Sequence, residues 1–164
     1  MMSVPFEIVG LTSASGVLTK RISLGDDGLL VSDGSACVMG QGAAKRVRLP
    51  GISAFADLIG GLKSSEAIAL GSLRHDLPDE VRVTTARKLE GLNGTAPTHL
   101  IARTAGHISY AIKQPAMALL DFDSKGMPEA VAERVKTLGG FWPALVSVAP
   151  DLEHAGNVLR RSTS

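Results

Sequence analysis

Two carboxylates stand out as residues able to do chemistry together: Asp121 and Asp123, one residue apart across Phe122. They end PAMALLDFD (115–123), in which five apolar residues run without alternation into the first acid. Such a run reads as a strand covered on both faces. Strand side chains alternate, so Asp121 and Asp123 share one face while Phe122 takes the other. Two anions so placed repel, and burial raises the cost. A hard divalent cation, Mg²⁺ or Mn²⁺, relieves the conflict and keeps coordination positions for phosphate oxygens. Two such metals can activate a 3′-hydroxyl and stabilise a leaving pyrophosphate, so the pattern fits phosphoryl transfer. The plainer alternative is a turn: Asp123 and Ser124 open a connection toward Pro128, with Asp121 capping it or facing water.

Basic side chains are the next candidates. Arg160 and Arg161 close an apolar stretch, and a guanidinium fork matches a triphosphate; a solvated strand end is the competing reading. Lys113 and Lys125 flank the acids and read first as surface residues. Arg82, Arg87, Lys88 and Arg103 have the sign to line a template groove, or form an ordinary surface. His75, His99, His107 and His154 show no metal-ligand spacing, and Cys37 has no neighbouring Cys or His. Trp142 beside Pro143 has a ring able to stack on a base, but its apolar surroundings favour anchoring a helix.

The elements that must position these residues follow from periodicity. The segments 17–23 and 29–32 flank Gly25-Asp26-Asp27-Gly28, and 36–40 and 44–49 flank Gly40-Gln41-Gly42, which predicts a four-stranded N-terminal meander. Ile52, Phe55, Ala56, Ile59 and Leu62 predict a helix over 52–63. Strands are expected at 66–73 and 81–85, and a hairpin at 99–104 and 107–112 around Ala105-Gly106. Pro128 opens a helix that Gly139-Gly140 ends. A second helix is expected at 141–149 and a last strand at 156–164. The fold class is therefore α/β (α+β in packing): a mixed β-sheet with flanking helices and a β-rich region at 1–50. No repeat, linker or boundary divides 1–164, so one domain is expected.

Composition narrows the classes. The chain has 164 residues, 45% of them hydrophobic, with 17 Lys plus Arg against 16 Asp plus Glu. That length suits one domain, and the apolar fraction with balanced charge excludes disorder. A single cysteine allows no internal disulfide. The start MMSVPFEIVG lacks the basic and long apolar regions of a secretory signal, and no apolar run approaches the roughly 20 residues a membrane span needs. A cytoplasmic protein with no membrane partner is the expectation.

Residues 117–164 resemble the primase–polymerase proteins of the archaeo-eukaryotic primase superfamily, as found on bacterial mobile elements. Asp121-Phe122-Asp123 is similar to that family's first metal motif, at the end of a hydrophobic strand. Arg160-Arg161-Ser162-Thr163-Ser164 is similar to the approach to its nucleotide-binding motif, and HLIARTAGHISYAIKQPA resembles the segment before the first motif. The resemblance implies template-directed nucleotidyl transfer on DNA. Asp121 and Asp123 would be catalytic and metal-binding, and Arg160, Arg161, Ser162 and Ser164 nucleotide-binding. Mg²⁺ or Mn²⁺ would be the cofactor. Nucleoside triphosphates, a DNA template and a helicase domain or partner would be the associates. The family's nucleotide-motif histidine and third acid do not occur before Ser164, so the expectation is the N-terminal part of a longer enzyme, incomplete at its C-terminus. Two other enzyme classes share Asp-x-Asp. Haloacid-dehalogenase-type phosphatases want Thr or Val where Lys125 stands, whereas metal-dependent nucleotide-sugar transferases fit locally. An inert, truncated mobile-element protein acting as a binding module is the non-enzymatic alternative.

Overall fold

The computed structural model describes residues 4–19, 22–32, 34, 36, 38–110, 117, 119, 126–135 and 137–159. The chain divides into two compact units, Met1–Ala118 and Leu119–Ser164. Their described residues carry a mixed sheet, two small two-stranded sheets and four α-helices, an α+β architecture.

The first unit is built on a five-stranded sheet. Its strands are β1 (Phe6–Ser13), β4 (Gly42–Leu49), β5 (Glu66–Ala69), β7 (Glu80–Thr84) and β8 (Leu100–Ala102), in the order β5-β1-β4-β7-β8. All neighbours are antiparallel except β7 and β8, which run parallel. Two smaller sheets pair β2 (Ile22–Leu24) with β3 (Leu30–Ser32), and β6 (Ser72–Leu73) with β9 (Ile108–Ser109).

The pairing assigns each side chain to a face. Val9 and Leu11 lie level with Arg46 and Ala44, Ala44 with Val81, and Val83 with Ile101. These residues share one surface, the core face. There Val9, Leu11, Ala44, Val81, Val83 and Ile101 cluster with Leu73 of β6 and with Leu77 and Met39 from the loops. Each fully buried aliphatic side chain contributes about 1.5–3 kcal/mol, so this cluster is the main source of the unit's stability. Gly42 is required here, because a Cβ would overlap the Thr12 carbonyl and the Met39 side chain. The opposite surface is the helix face. At one end α1 (Ile52–Gly61) lies against it, with Phe55 meeting Phe6 edge-on at 5.9 Å between centroids and Ile8 and Leu49 buried nearby. A short helix α2 (Ala86–Glu90) follows β7, capped by the Thr85 hydroxyl, which accepts from the Lys88 amide at 3.3 Å.

Several expectations are corrected. The strand Phe6–Ser13 goes unassigned by the sequence reading, yet it pairs on both sides. The N-terminal four-stranded meander does not form: β4 pairs with β1, and β2–β3 stands as its own hairpin. The eight-residue β1 supplies β4 with a full ladder along its whole length. The single strand expected at 66–73 splits at Gly71, whose missing side chain admits the Ser109 backbone. The expected hairpin of 99–104 and 107–112 is also not formed, because β8 joins β7 and β9 joins β6. Residues 156–159 carry no strand.

The second unit contains α3 (Glu129–Val135), α4 (Leu138–Val148) and a 3-10 turn at Pro150–Leu152. Pro128 precedes α3 as its composition predicts, but the helix stops at Val135. Gly139 and Gly140, read as a helix end, lie in the first turn of α4. The Thr137 hydroxyl caps that turn, accepting from the Gly140 amide at 3.1 Å. Gly140 fits because a Cβ would collide with the Arg134 carbonyl. The second expected helix, 141–149, is the body of α4.

Candidate functional site

Asp121, Asp123, Arg160, Arg161, Ser162 and Ser164 all lie outside the described residues, as does Cys37. Among the described residues, no group of three His, Cys, Asp or Glu is placed to hold a metal ion. No helix among them is long and apolar enough to cross a membrane.

The basic residues proposed for a template groove are separated by the fold. Arg82 sits on the helix face, level with Ala43 of β4 and Leu100 of β8. Arg103 follows Ile101 by two residues and donates from Nη2 to the Met39 carbonyl at 3.2 Å, on the core-face side. Arg87 and Lys88 are exposed in the last turn of α2. These four therefore do not form one groove. The histidines are likewise dispersed: His75 and His99 are exposed, and the His107 Nδ1 lies 3.1 Å from the Thr104 hydroxyl. His99 and His107 do not lie on adjacent strands, because each precedes a strand of a different sheet. Trp142 is half-buried in α4.

The helix face offers a different arrangement. Helix α1 covers one end of it, and at the other end lies an open recess of about 360 Å³. Thr12, Ala43, Arg82 and Leu100 form a single cross-sheet row along its floor. Gln41 and Thr84 lie beyond that row, and Ser13, Ala14, Gly42 and Val83 complete the lining. Strand alternation explains the grouping, since Arg82 and Thr84 point one way from β7 while Val81 and Val83 enter the core. Among the described residues the lining holds one cation and no carboxylate or imidazole, a set suited to binding rather than proton transfer. Glu66, next to Thr12 in the same row, accepts the Lys63 amide at 2.9 Å.

The densest polar network lies on the core face, where Arg46 is 8% exposed. Its guanidinium donates to Glu7 Oε1 at 2.6 Å, Asp79 Oδ1 at 2.9 Å and the carbonyls of Leu73, Arg74 and Leu77 at 3.0–3.3 Å. Arg48 grips both Asp79 oxygens at 3.1 Å. That hydrogen bonding, with the nearby positive charges, holds the Asp79 carboxyl below the usual aspartate range, against a smaller opposing effect of desolvation. The Arg74 partner does the same for Asp76. Every Arg46 donor direction is taken, and three of its partners are backbone carbonyls. The cluster is a clamp on the 73–79 loop, not a ligand site.

Sequence reasoning missed Thr84 and the recess. The alternation in VRVTT was the available signal, since it sets Arg82 and Thr84 opposite the apolar valines. No protein-family model, no curated protein and no solved structure matches the chain.

Proposed function

We propose that this chain is the N-terminal part of a primase–polymerase-like nucleotidyltransferase acting on a DNA template. One observation carries the reading: an apolar run ending in Asp121-Phe122-Asp123, within a chain of mixed α+β type. The donor set fits Mg²⁺ or Mn²⁺, since two hard carboxylates one residue apart suit oxygen-preferring cations. When bound, the metal would polarise phosphate oxygens and lower the pKa of an attacking hydroxyl. Asp121 and Asp123 hold it, and the metal in turn offsets their mutual repulsion. Arg160 and Arg161 neutralise the nucleotide phosphates through planar, two-pronged hydrogen bonding. Ser162 and Ser164 lie near the nucleotide in the family's pattern and supply hydroxyl donors.

A second reading is a binding module without catalysis. It draws on the helix-face recess, a ligand-sized hollow whose described lining comes from residues between Thr12 and Leu100. A nucleotide-sugar transferase has only the Asp-x-Asp pattern in its favour.

Calorimetry with Mn²⁺ and a nucleoside triphosphate separates the first two. The enzyme reading expects metal-dependent nucleotide binding by the full chain, abolished in Asp121→Ala/Asp123→Ala while circular dichroism is unchanged. Metal-dependent binding that survives the double substitution refutes that assignment of the acids. Absence of any binding, repeated in a version extended past Ser164, favours the binding module.

A further inference from the structure

We infer that the open end of the helix face is a binding site for a phosphomonoester, with Arg82 and Thr84 as its anion-holding residues. The inference does not rest on the nucleotidyltransferase reading, because it is argued from Arg82, Thr84 and the other described lining residues, which lie between Thr12 and Leu100.

Thr84 is the first observation. It is the one buried polar residue among the described residues, at 8% exposed, and it lines the recess. Its hydroxyl makes no hydrogen bond within the described chain, although atom by atom it is not sealed from the recess. The hydroxyl therefore keeps its donor and acceptor capacity open to the recess, while the rest of the residue is fixed in the strand.

Arg82 is the second. It precedes Thr84 by two residues on the same strand face, so their Cα atoms stand roughly 6–7 Å apart. Its guanidinium is exposed, in no ion pair and in no side-chain hydrogen bond among the described residues. The other arginines of β4 and of the 73–79 loop, Arg46, Arg48 and Arg74, are all paired. An unpaired guanidinium and an unpaired hydroxyl, both lining one recess, supply a planar fork and a further donor. That is the donor set of a tetrahedral oxyanion.

The rest of the lining selects among anions. Leu100 and Ala43 flank Arg82 in the same row and provide an apolar ledge for the body of an ester. The exposed Thr12 hydroxyl stands at the far end of that row. A volume of about 360 Å³ lies near the small end of ligand sites, which suits a compact molecule. The described lining, with one cation and no aromatic residue, does not suit single-stranded nucleic acid, which needs a track of positive charge and stacking rings.

Phenyl phosphate is the probe, titrated into the full chain and followed by amide chemical shifts. Binding should saturate and perturb the amides of Arg82, Thr84 and Leu100. Arg82→Gln should weaken it about tenfold or more, and Thr84→Val several-fold, as expected for hydrogen bonds to a charged group. Arg87→Gln, outside the recess, should leave it unchanged, and Asp121→Ala/Asp123→Ala should bind as the parent does. If Thr84→Val fails to fold, Arg82→Gln decides alone, since its side chain is exposed and unpaired. Parent-like binding by Arg82→Gln overturns the inference. So does a short oligothymidylate that perturbs the same amides with a steep salt dependence while phenyl phosphate does not.

Discussion

The sheet unit and the helical unit differ in how they hold themselves together. In the sheet unit, Ile8, Val9, Ala44 and Ile101 are fully buried, and apolar side chains from strands far apart in sequence meet on the core face. In the helical unit, no described residue is buried: α3 and α4 pack together, but Phe141, Trp142, Leu145 and Val146 are only half-covered. Helices of seven and eleven residues are marginal alone in water, and Pro143 removes one more backbone hydrogen bond from α4. Apolar content therefore does not indicate a core. Period-two strands stacked in a sheet enclose their apolar face, whereas a two-helix pair leaves much of its own uncovered.

Three experiments bear on that contrast. The largest effect is expected from separation. A fragment 1–118 should retain dispersed amide resonances and a single cooperative unfolding transition, and a fragment 119–164 should lose its helical circular dichroism. A helical signal that survives in isolated 119–164 would remove the distinction.

Next come substitutions within each unit. Arg46→Met removes the donor to the carbonyls of Leu73, Arg74 and Leu77 and leaves Glu7 with Arg48 alone, and should cost about 2–4 kcal/mol in urea unfolding of the full chain. Leu145→Ala, in half-covered α4, should cost about 1 kcal/mol, well under the value for a fully buried leucine. Equal costs would mean that the helical unit has a core after all.

The smallest effect concerns acid. Asp79 titrates below the ordinary aspartate value, so its pairing stabilises the sheet unit at neutral pH. That contribution fades as pH falls through its depressed folded pKa. The gap in urea midpoint between the parent chain and Asp79→Asn should be present at pH 7 and shrink as pH falls below the ordinary aspartate range. A gap that does not change with pH assigns the effect to something other than Asp79 ionisation.

Much of the local structure was legible in the residues. The spacing of Ile52, Phe55, Ala56 and Ile59 marks α1, and Pro128 marks the start of α3. The alternation of β7 separates Val81 and Val83 from Arg82 and Thr84. The acidic motif was equally legible as a pattern, and its residues lie outside the described chain. Thr84 was not legible as a site residue, because a threonine at a strand end is unremarkable until a recess opens over it.

Residue spacing set which side chains share a face and where α1 and α3 begin. These depend on neighbours within a few positions. Partnership, by contrast, came from the fold. β1 sits between β4 and β5, β8 lies parallel to β7 instead of folding back on β9, and Arg82 and Arg103 end on opposite sides of the sheet. Strand pairing is a competition between distant segments for the same backbone hydrogen bonds. Its outcome depends on ladder length and on what each face can bury, and no local spacing records either.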